Sequence, residues 1–283
     1  MATIQRNRPV LWIVLVFGVI GVLFLSACQA GEDTLPEEPS PVIASPVPVE
    51  DDPVEEGPRV LTLLPQYLEW YDLNPDFIGW IRIPGTTVDH PVLQESPDEL
   101  DFYLSHNIYR ERCSSGVPFI WYLPVDLLEA ENVAVYGHNF HRPPRSPDED
   151  MVFSPTVQYK DADFFRTHTV IEFDTRYEER TFELVWAYEV AVVNVGEAGA
   201  PFYQHFYLDP VTRALSEDIF DGHMVRIWDS AAAFYEHVRL SQLYTIHDSG
   251  VTVSYGDIFV RLVTCTQHPD YNTRLVIVAR LVS

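Results

Sequence analysis

Alternating apolar and polar positions run through most of the chain after residue 60 and predict many short strands. Pro, Gly, Asn and Asp separate the predicted strands, which are Gly79–Ile83, Thr87–Leu93, Val117–Tyr122, Val133–Tyr136, Val170–Asp174, Thr181–Val193, Gly250–Ser254, Asp257–Cys265 and Arg274–Val282. Helical spacing predicts two helices, Gln66–Leu73 and Ser230–Leu240, the second with Asp229 as its N-cap. Many short strands with few helices favour a β-barrel or a β-sandwich.

The start of the chain has a different pattern. Arg6 and Arg8 precede an uncharged apolar run from Val10 to Leu25, which is the arrangement of an export signal. The run ends in Leu25-Ser26-Ala27-Cys28, which resembles a lipobox, whose cysteine is lipidated after the signal is cleaved. An uncleaved signal anchor over Val10–Ala27 is the alternative, because a run of that length can span a bilayer. Either form predicts a chain tethered to the outer face of the cytoplasmic membrane.

A linker follows the apolar run. Residues 29–60 are rich in Pro, Asp and Glu, and they contain too little apolar surface to offset the entropy of folding. Like charges and prolines favour an extended chain. The sequence therefore predicts a signal peptide or anchor over residues 1–28, a disordered linker over 29–60 and one folded domain over 61–283.

Charge and cysteine content narrow the possible functions. The formal net charge of −24 would repel nucleic acid, so a nucleic-acid partner is not expected. The chain has three cysteines, which are too few for a disulfide framework. With Cys28 assigned to lipidation, Cys113 and Cys265 remain to be explained.

Three residues in the predicted strands have the chemistry of a cysteine nucleophile and its partners. Cys265 ends an apolar strand, and its thiol becomes reactive only if a nearby cation lowers its pKa. Arg274 opens the next strand, so an antiparallel hairpin would bring it beside Cys265. His138 follows the strand Val133–Tyr136 and could exchange protons with the reacting groups. In a barrel, the ends of strands distant in sequence can meet at one rim.

Several motifs resemble those of the sortase family. The segments Tyr136-Gly137-His138-Asn139 and Leu262-Val263-Thr264-Cys265, followed by Arg274, are similar to the sortase signature in residue type and order. Asn74-Pro75-Asp76-Phe77-Ile78-Gly79-Trp80-Ile81 and Val88-Asp89-His90-Pro91-Val92-Leu93-Gln94 are similar to class B sortases. The resemblance extends from about residue 65 to the end. Arg261 departs from it, because the family's TLxTC pattern has a threonine at that position.

The resemblance implies a mainly β fold, an eight-stranded β-barrel with a few peripheral helices. It implies a cysteine transpeptidase that cleaves a sorting motif on secreted proteins and transfers the acyl group to a cell-wall or pilin amine. Cys265 would be the nucleophile, His138 the general acid and base, and Arg274 the residue that stabilises the oxyanion or positions the substrate. Leu262, Thr264 and Asn139 are expected to contact substrate, and a monomer with no cofactor and no metal is expected.

Other interpretations of the same residues remain open at this point. Cys265 could form a disulfide with Cys113, and His138 with His141 forms an H-x-x-H pair that could bind a metal. Two other functions also fit the chain. One is a membrane-tethered binding protein with an inactive site, and the other is a cysteine hydrolase that passes its acyl group to water.

Overall fold

The computed structural model describes residues 60–99, 101–121, 123, 126–143, 145, 151–194, 203–208, 212, 214–219, 227–267 and 272–283. The predicted signal, Cys28 and nearly all of the predicted linker lie outside the described residues, so the predicted division at residues 28 and 60 stays a prediction. Among the described residues, the helices are too short or too polar to cross a membrane.

Strands make up most of this part of the chain. They are β1 (Phe77–Arg82), β2 (Asp89–Gln94), β3 (Phe119–Ile120), β4 (Asn132–Gly137), β5 (Val170–Thr175), β6 (Thr181–Asn194), β7 (Tyr203–Leu208), β8 (Leu215–Ile219), β9 (Thr245–Asp248), β10 (Phe259–Gln267) and β11 (Asn272–Leu281). The α-helices are α1 (Leu68–Leu73), α2 (Ala162–Thr167) and α3 (Ala231–Leu243). Short 3₁₀ helices cover Pro65–Tyr67, Phe102–Leu104 and Ser154–Lys160.

Eight of the strands pair into a closed ring in the order β1-β2-β3-β4-β10-β11-β6-β5. The pairing of β11 with β6 and the pairing of β5 with β1 complete the ring, while β7, β8 and β9 pair outside it. The predicted fold class, a mainly β chain built on eight ring strands with few helices, is therefore confirmed.

One apolar cluster fills the ring. Every ring strand contributes to it, with side chains such as Ile81, Val92, Ile120, Val135, Ile171, Leu184, Leu262 and Ile277. The period-two alternation of the strands puts these residues on the inner face. On the outer face of the ring, Val263 of β10 and Val276 of β11 belong to a second apolar cluster, together with Phe234 and Val238 of α3. The ring is therefore packed on both sides along β10, the strand that carries Cys265.

Two of the predicted local features are wrong. The N-cap of α3 is Ser230 and not Asp229, because Ser230 is the extended residue directly before the helix and its hydroxyl accepts from the Ala233 N–H. The segment Gly250–Ser254 is not a strand; the strand in this region is β9, which pairs with β6. Gly250 has a φ of +81° and ends the extended run.

Candidate active site

The hairpin of β10 and β11 brings Cys265 and Arg274 together. The two strands are antiparallel, and Cys265 lies directly opposite Arg274. Side chains of directly opposite residues project from the same face of a sheet, with Cβ atoms about 5 Å apart. The thiol and the guanidinium therefore share the outer face of the ring at the end of β10.

His138 reaches the same place from the other side of β10. Strand β4 runs parallel to β10, and their last pair is Gly137 with Thr264. His138 directly follows β4 and Cys265 is the next residue of β10, and neighbouring strands lie about 4.8 Å apart. The Asn139 side-chain amide donates to the Cys265 carbonyl at 2.7 Å, so the loop after β4 is fastened to the residue that carries the thiol.

Cys265, His138 and Arg274 line one cleft of about 170 Å³. An aromatic wall borders the cleft, because the Trp121 and Tyr136 rings stack with centroids 4.7 Å apart. The half-buried thiol of Cys265 therefore shares the cleft with the His138 imidazole and the Arg274 guanidinium, and one wall of the cleft is apolar. A pocket of this kind can hold an extended peptide while a carbonyl reacts at the sulfur.

The His138 imidazole makes a hydrogen bond that the sequence did not predict. Its Nε2 lies 2.7 Å from the backbone carbonyl of Leu104, which also lines the cleft. A carbonyl can only accept, so Nε2 carries the proton and the bond selects that tautomer. Nδ1 is then the nitrogen of the neutral ring that can accept a proton.

Glu95 supports the turn that carries Leu104. Its side chain is buried, and one carboxylate oxygen accepts from the Asp101 N–H at 2.7 Å while the other accepts from the Tyr103 N–H at 3.1 Å. Burial raises the pKa of Glu95 to about 7, although the two N–H groups act in the opposite direction. Sequence analysis missed Glu95, because a single acid in a chain with 42 acidic residues gives no signal.

Arg274 is held at the edge of the cleft by contacts from its own strand. Its Nη1 donates to the Asn272 side-chain oxygen at 2.5 Å and to the Thr273 carbonyl at 3.1 Å. Behind the Cys265–Arg274 pair, the Thr266 and Thr273 hydroxyls lie 2.5 Å apart, and Thr266 also donates to the buried Glu189. This polar cluster fixes the hairpin end that carries the thiol and the guanidinium.

The three residues expected to contact substrate lie in different environments. Leu262 is fully buried in the cluster inside the ring and does not line the cleft. Thr264 lines the cleft, but its side chain is buried and its hydroxyl donates to the Gly137 carbonyl at 2.8 Å. Asn139 uses its amide on Cys265 and His141. In this structure the side chains of Thr264 and Asn139 join β4 to β10, and their substrate contacts stay predictions.

Arg261 lies on the same face of β10 as Cys265 but beneath α3. It is 1% exposed and donates to Asn132 Oδ1 at 2.5 Å, to the Tyr188 hydroxyl at 2.8 Å and to His237 Nε2 at 2.8 Å. Four residues along a strand correspond to about 13 Å, so Arg261 is remote from the sulfur. The departure from the family pattern therefore lies under α3 and outside the cleft lining.

The two cysteines of the described residues are both free thiols, so no disulfide joins Cys113 to Cys265. Cys113 Sγ lies 3.1 Å from the Ser115 hydroxyl, and Cys113 does not line the cleft. His141, the second histidine of the H-x-x-H pair, takes part in hydrogen bonds with Asn139.

The closed ring with this cleft at the end of β10 has the fold of solved sortase B structures. No protein-family model matches the chain. In sequence it is similar to sortase B of Listeria monocytogenes, with 26% identity over 212 residues that cover 75% of this chain and 72% of that protein. Among solved structures it is similar to Staphylococcus aureus sortase B, with a TM-score of 0.59 and 21% identity over 78% of this chain and 88% of the other.

A Staphylococcus aureus sortase B–substrate complex is similar as well, with a TM-score of 0.56 and 21% identity, covering 78% of this chain and 86% of the other. The resemblance to class B sortases that the motifs predicted is confirmed by these similarities in sequence and fold.

Proposed function

We propose that this chain is a cysteine transpeptidase that forms an acyl-enzyme on Cys265 and transfers the acyl group to an amine. The observation that carries the proposal is the convergence of Cys265, His138 and Arg274 on one cleft from three different strands. The sortase B proteins of Listeria monocytogenes and Staphylococcus aureus, which are similar to this chain in sequence, support it.

Each side chain has a defined part in the proposed reaction. The Cys265 thiolate attacks a peptide carbonyl, and the C–N bond breaks as His138 gives a proton to the leaving amine. A second amine then attacks the thioester, His138 takes its proton, and the C–S bond breaks to restore the thiolate. Arg274 stabilises the negative oxygen in both tetrahedral intermediates, because it lies opposite Cys265 on the same face.

The proposed substrate is a secreted protein with a C-terminal sorting motif. The aromatic wall of Trp121 and Tyr136 offers apolar surface to an extended segment, and the solved neighbours include a sortase B with bound substrate. The acceptor would be an amine of peptidoglycan or of a pilin subunit. The N-terminal segment would hold the enzyme at the membrane, through lipidated Cys28 or an anchor helix.

The site geometry favours an active enzyme over an inactive binding protein. Arg261 is the residue that departs from the family pattern, and its guanidinium is fully engaged beneath α3 instead of entering the cleft. The thiol is free, and it lines the cleft together with the histidine and the arginine.

The test uses the domain from residue 61 with a library of threonine-containing peptides and an added amine. Mass spectrometry should find an acyl adduct on Cys265 and a peptide–amine product. The Cys265→Ala variant should form neither, while Cys113→Ala, the matched control for loss of a thiol, should form both. Product formation by Cys265→Ala would refute the proposal, and release of the free acid alone in the presence of amine would identify a hydrolase.

A further inference from the structure

We propose that Glu95 is a positioning residue that fixes the tautomer and orientation of His138 through the backbone of the turn Asp101–Leu104. This inference rests on the proposed function for its effect on catalysis. Its structural part concerns only the imidazole and the turn, and it is measured separately.

The connection runs through three consecutive contacts. Glu95 follows β2 and is fastened to β3 by its own N–H, which donates to the Ile120 carbonyl at 3.0 Å. Its two carboxylate oxygens accept from the N–H groups of Asp101 and Tyr103. The turn then presents the Leu104 carbonyl, which accepts from His138 Nε2 at 2.7 Å.

The turn needs this support because its backbone is otherwise unfavourable. Asp101 has a φ of +63°, in the left-handed region that L-residues rarely adopt. A buried carboxylate bound to two N–H groups offsets that strain and holds the position of the carbonyl. The far side of the turn is packed equally closely, since a Cβ at Gly116 would lie 2.5 Å from the Tyr103 carbonyl oxygen and 2.8 Å from that of Leu104.

Only the ionised form of Glu95 can accept strongly at both oxygens. The amide of a glutamine places an N–H donor against one of the two N–H groups, and a protonated carboxyl keeps a hydroxyl oxygen that accepts only weakly. The pKa of Glu95 is raised to about 7, mainly by burial and to a smaller extent by the Asp101 carboxylate, against the lowering effect of the two N–H groups. Nearby, the Arg110 guanidinium is paired with Asp76 and Glu99. Replacing the Glu95 carboxylate should therefore loosen the turn, because the N–H groups of Asp101 and Tyr103 would lose an acceptor.

The supported turn keeps one proton of the His138 imidazole on Nε2, where it is donated to the Leu104 carbonyl. With Nε2–H held by Leu104, Nδ1 is the nitrogen that takes and gives the catalytic proton, so the ring need not rotate between the two half-reactions. A released turn would allow both tautomers and a mobile ring, and proton transfer to the leaving amine would slow.

The test compares Glu95→Gln with Glu129→Gln, an exposed acid that serves as the control for loss of one charge. Nitrogen-15 NMR of labelled histidine at pH 8 should show the Nε2–H tautomer of His138 in the wild type and in Glu129→Gln. Glu95→Gln should show a mixture, with its acylation rate at least tenfold lower and Cys265 still accessible to a thiol reagent.

Unchanged tautomer and rate in folded Glu95→Gln would overturn the inference. The wild-type spectrum tests the inference even if Glu95→Gln does not fold. If the Nδ1–H tautomer of His138 predominates in the wild type, the hydrogen bond from Nε2 to Leu104 is not made and the inference is wrong. If no peptide acylates the wild type, the proposed function fails while the tautomer measurement still tests the role of Glu95.

Discussion

Replacing Arg261 with methionine should destabilise the fold strongly and leave the chemistry at Cys265 nearly unchanged. The guanidinium is buried between β10 and α3, where it donates to Asn132, Tyr188 and His237. Methionine would fill much of the volume but would provide no donors. All three partners lie in regions closed to water, so solvent cannot replace the lost hydrogen bonds.

The size of the loss follows from these contacts. A buried polar group left without its partner costs about 1–3 kcal/mol, and three such groups would give a large sum. Part of this is returned, because the guanidinium no longer has to be removed from water, which is a penalty of several kcal/mol. We expect a net loss of about 2–5 kcal/mol in the free energy of unfolding, a large share of the 5–15 kcal/mol typical of a domain.

Urea denaturation at pH 7.5 measures this loss, with Arg82→Met as the matched control. Arg82 bonds Asp89 and Glu172 at the surface, where its side chain is 44% exposed, so its replacement should change stability by less than about 1 kcal/mol. Labelling of Cys265 by a thiol reagent in the absence of urea should proceed at the wild-type rate in both variants. A loss below about 1 kcal/mol in Arg261→Met, or a large change in labelling rate, would refute this reasoning.

Two further predictions concern His237 and Gly137. Burial, with a smaller contribution from Arg261, holds the pKa of His237 well below its usual value, so the unfolded chain takes up a proton below about pH 6.5 and the folded chain does not. Urea unfolding from pH 7 to pH 5 should show the stability advantage of wild type over His237→Gln falling by at most about 1.4 kcal/mol per pH unit; a constant difference would contradict it. A Cβ at Gly137 would lie 2.6 Å from the Phe153 ring, so Gly137→Ala should lose about 1–3 kcal/mol and slow acylation by displacing His138. Thermal melting and the acylation assay check this, and an unchanged melting temperature would contradict it.

The eight strands of the ring and the positions of Cys265 and Arg274 on its last hairpin could be predicted from the sequence. Period-two alternation is a local signal, and it located all eight ring strands to within a few residues, including β10 and β11. The hairpin between these strands then set Cys265 opposite Arg274 without any long-range information. The strands β7, β8 and β9 were missed, and they are the three that pair outside the ring.

The support around His138 could not be predicted in the same way. Glu95 acts on a turn six to eight residues away, and that turn acts on His138 through a backbone carbonyl. A backbone contact does not depend on the residue type of Leu104, so no side-chain pattern marks it. The orientation of Arg261 was also undetermined, because alternation gives the face of a strand but does not show which helix covers it.

The alternation along β10 separates stability from chemistry within one strand. Leu262 and Thr264 are buried on the inner side, while Arg261, Val263 and Cys265 share the outer face. Helix α3 covers the outer face at Arg261, and the cover ends before Cys265, which is open to the cleft. A polar or charged residue at position 261 therefore affects how α3 packs on β10, and it does not contact the side chains that line the cleft. This is why the departure from the family pattern is compatible with the roles proposed for Cys265, His138 and Arg274.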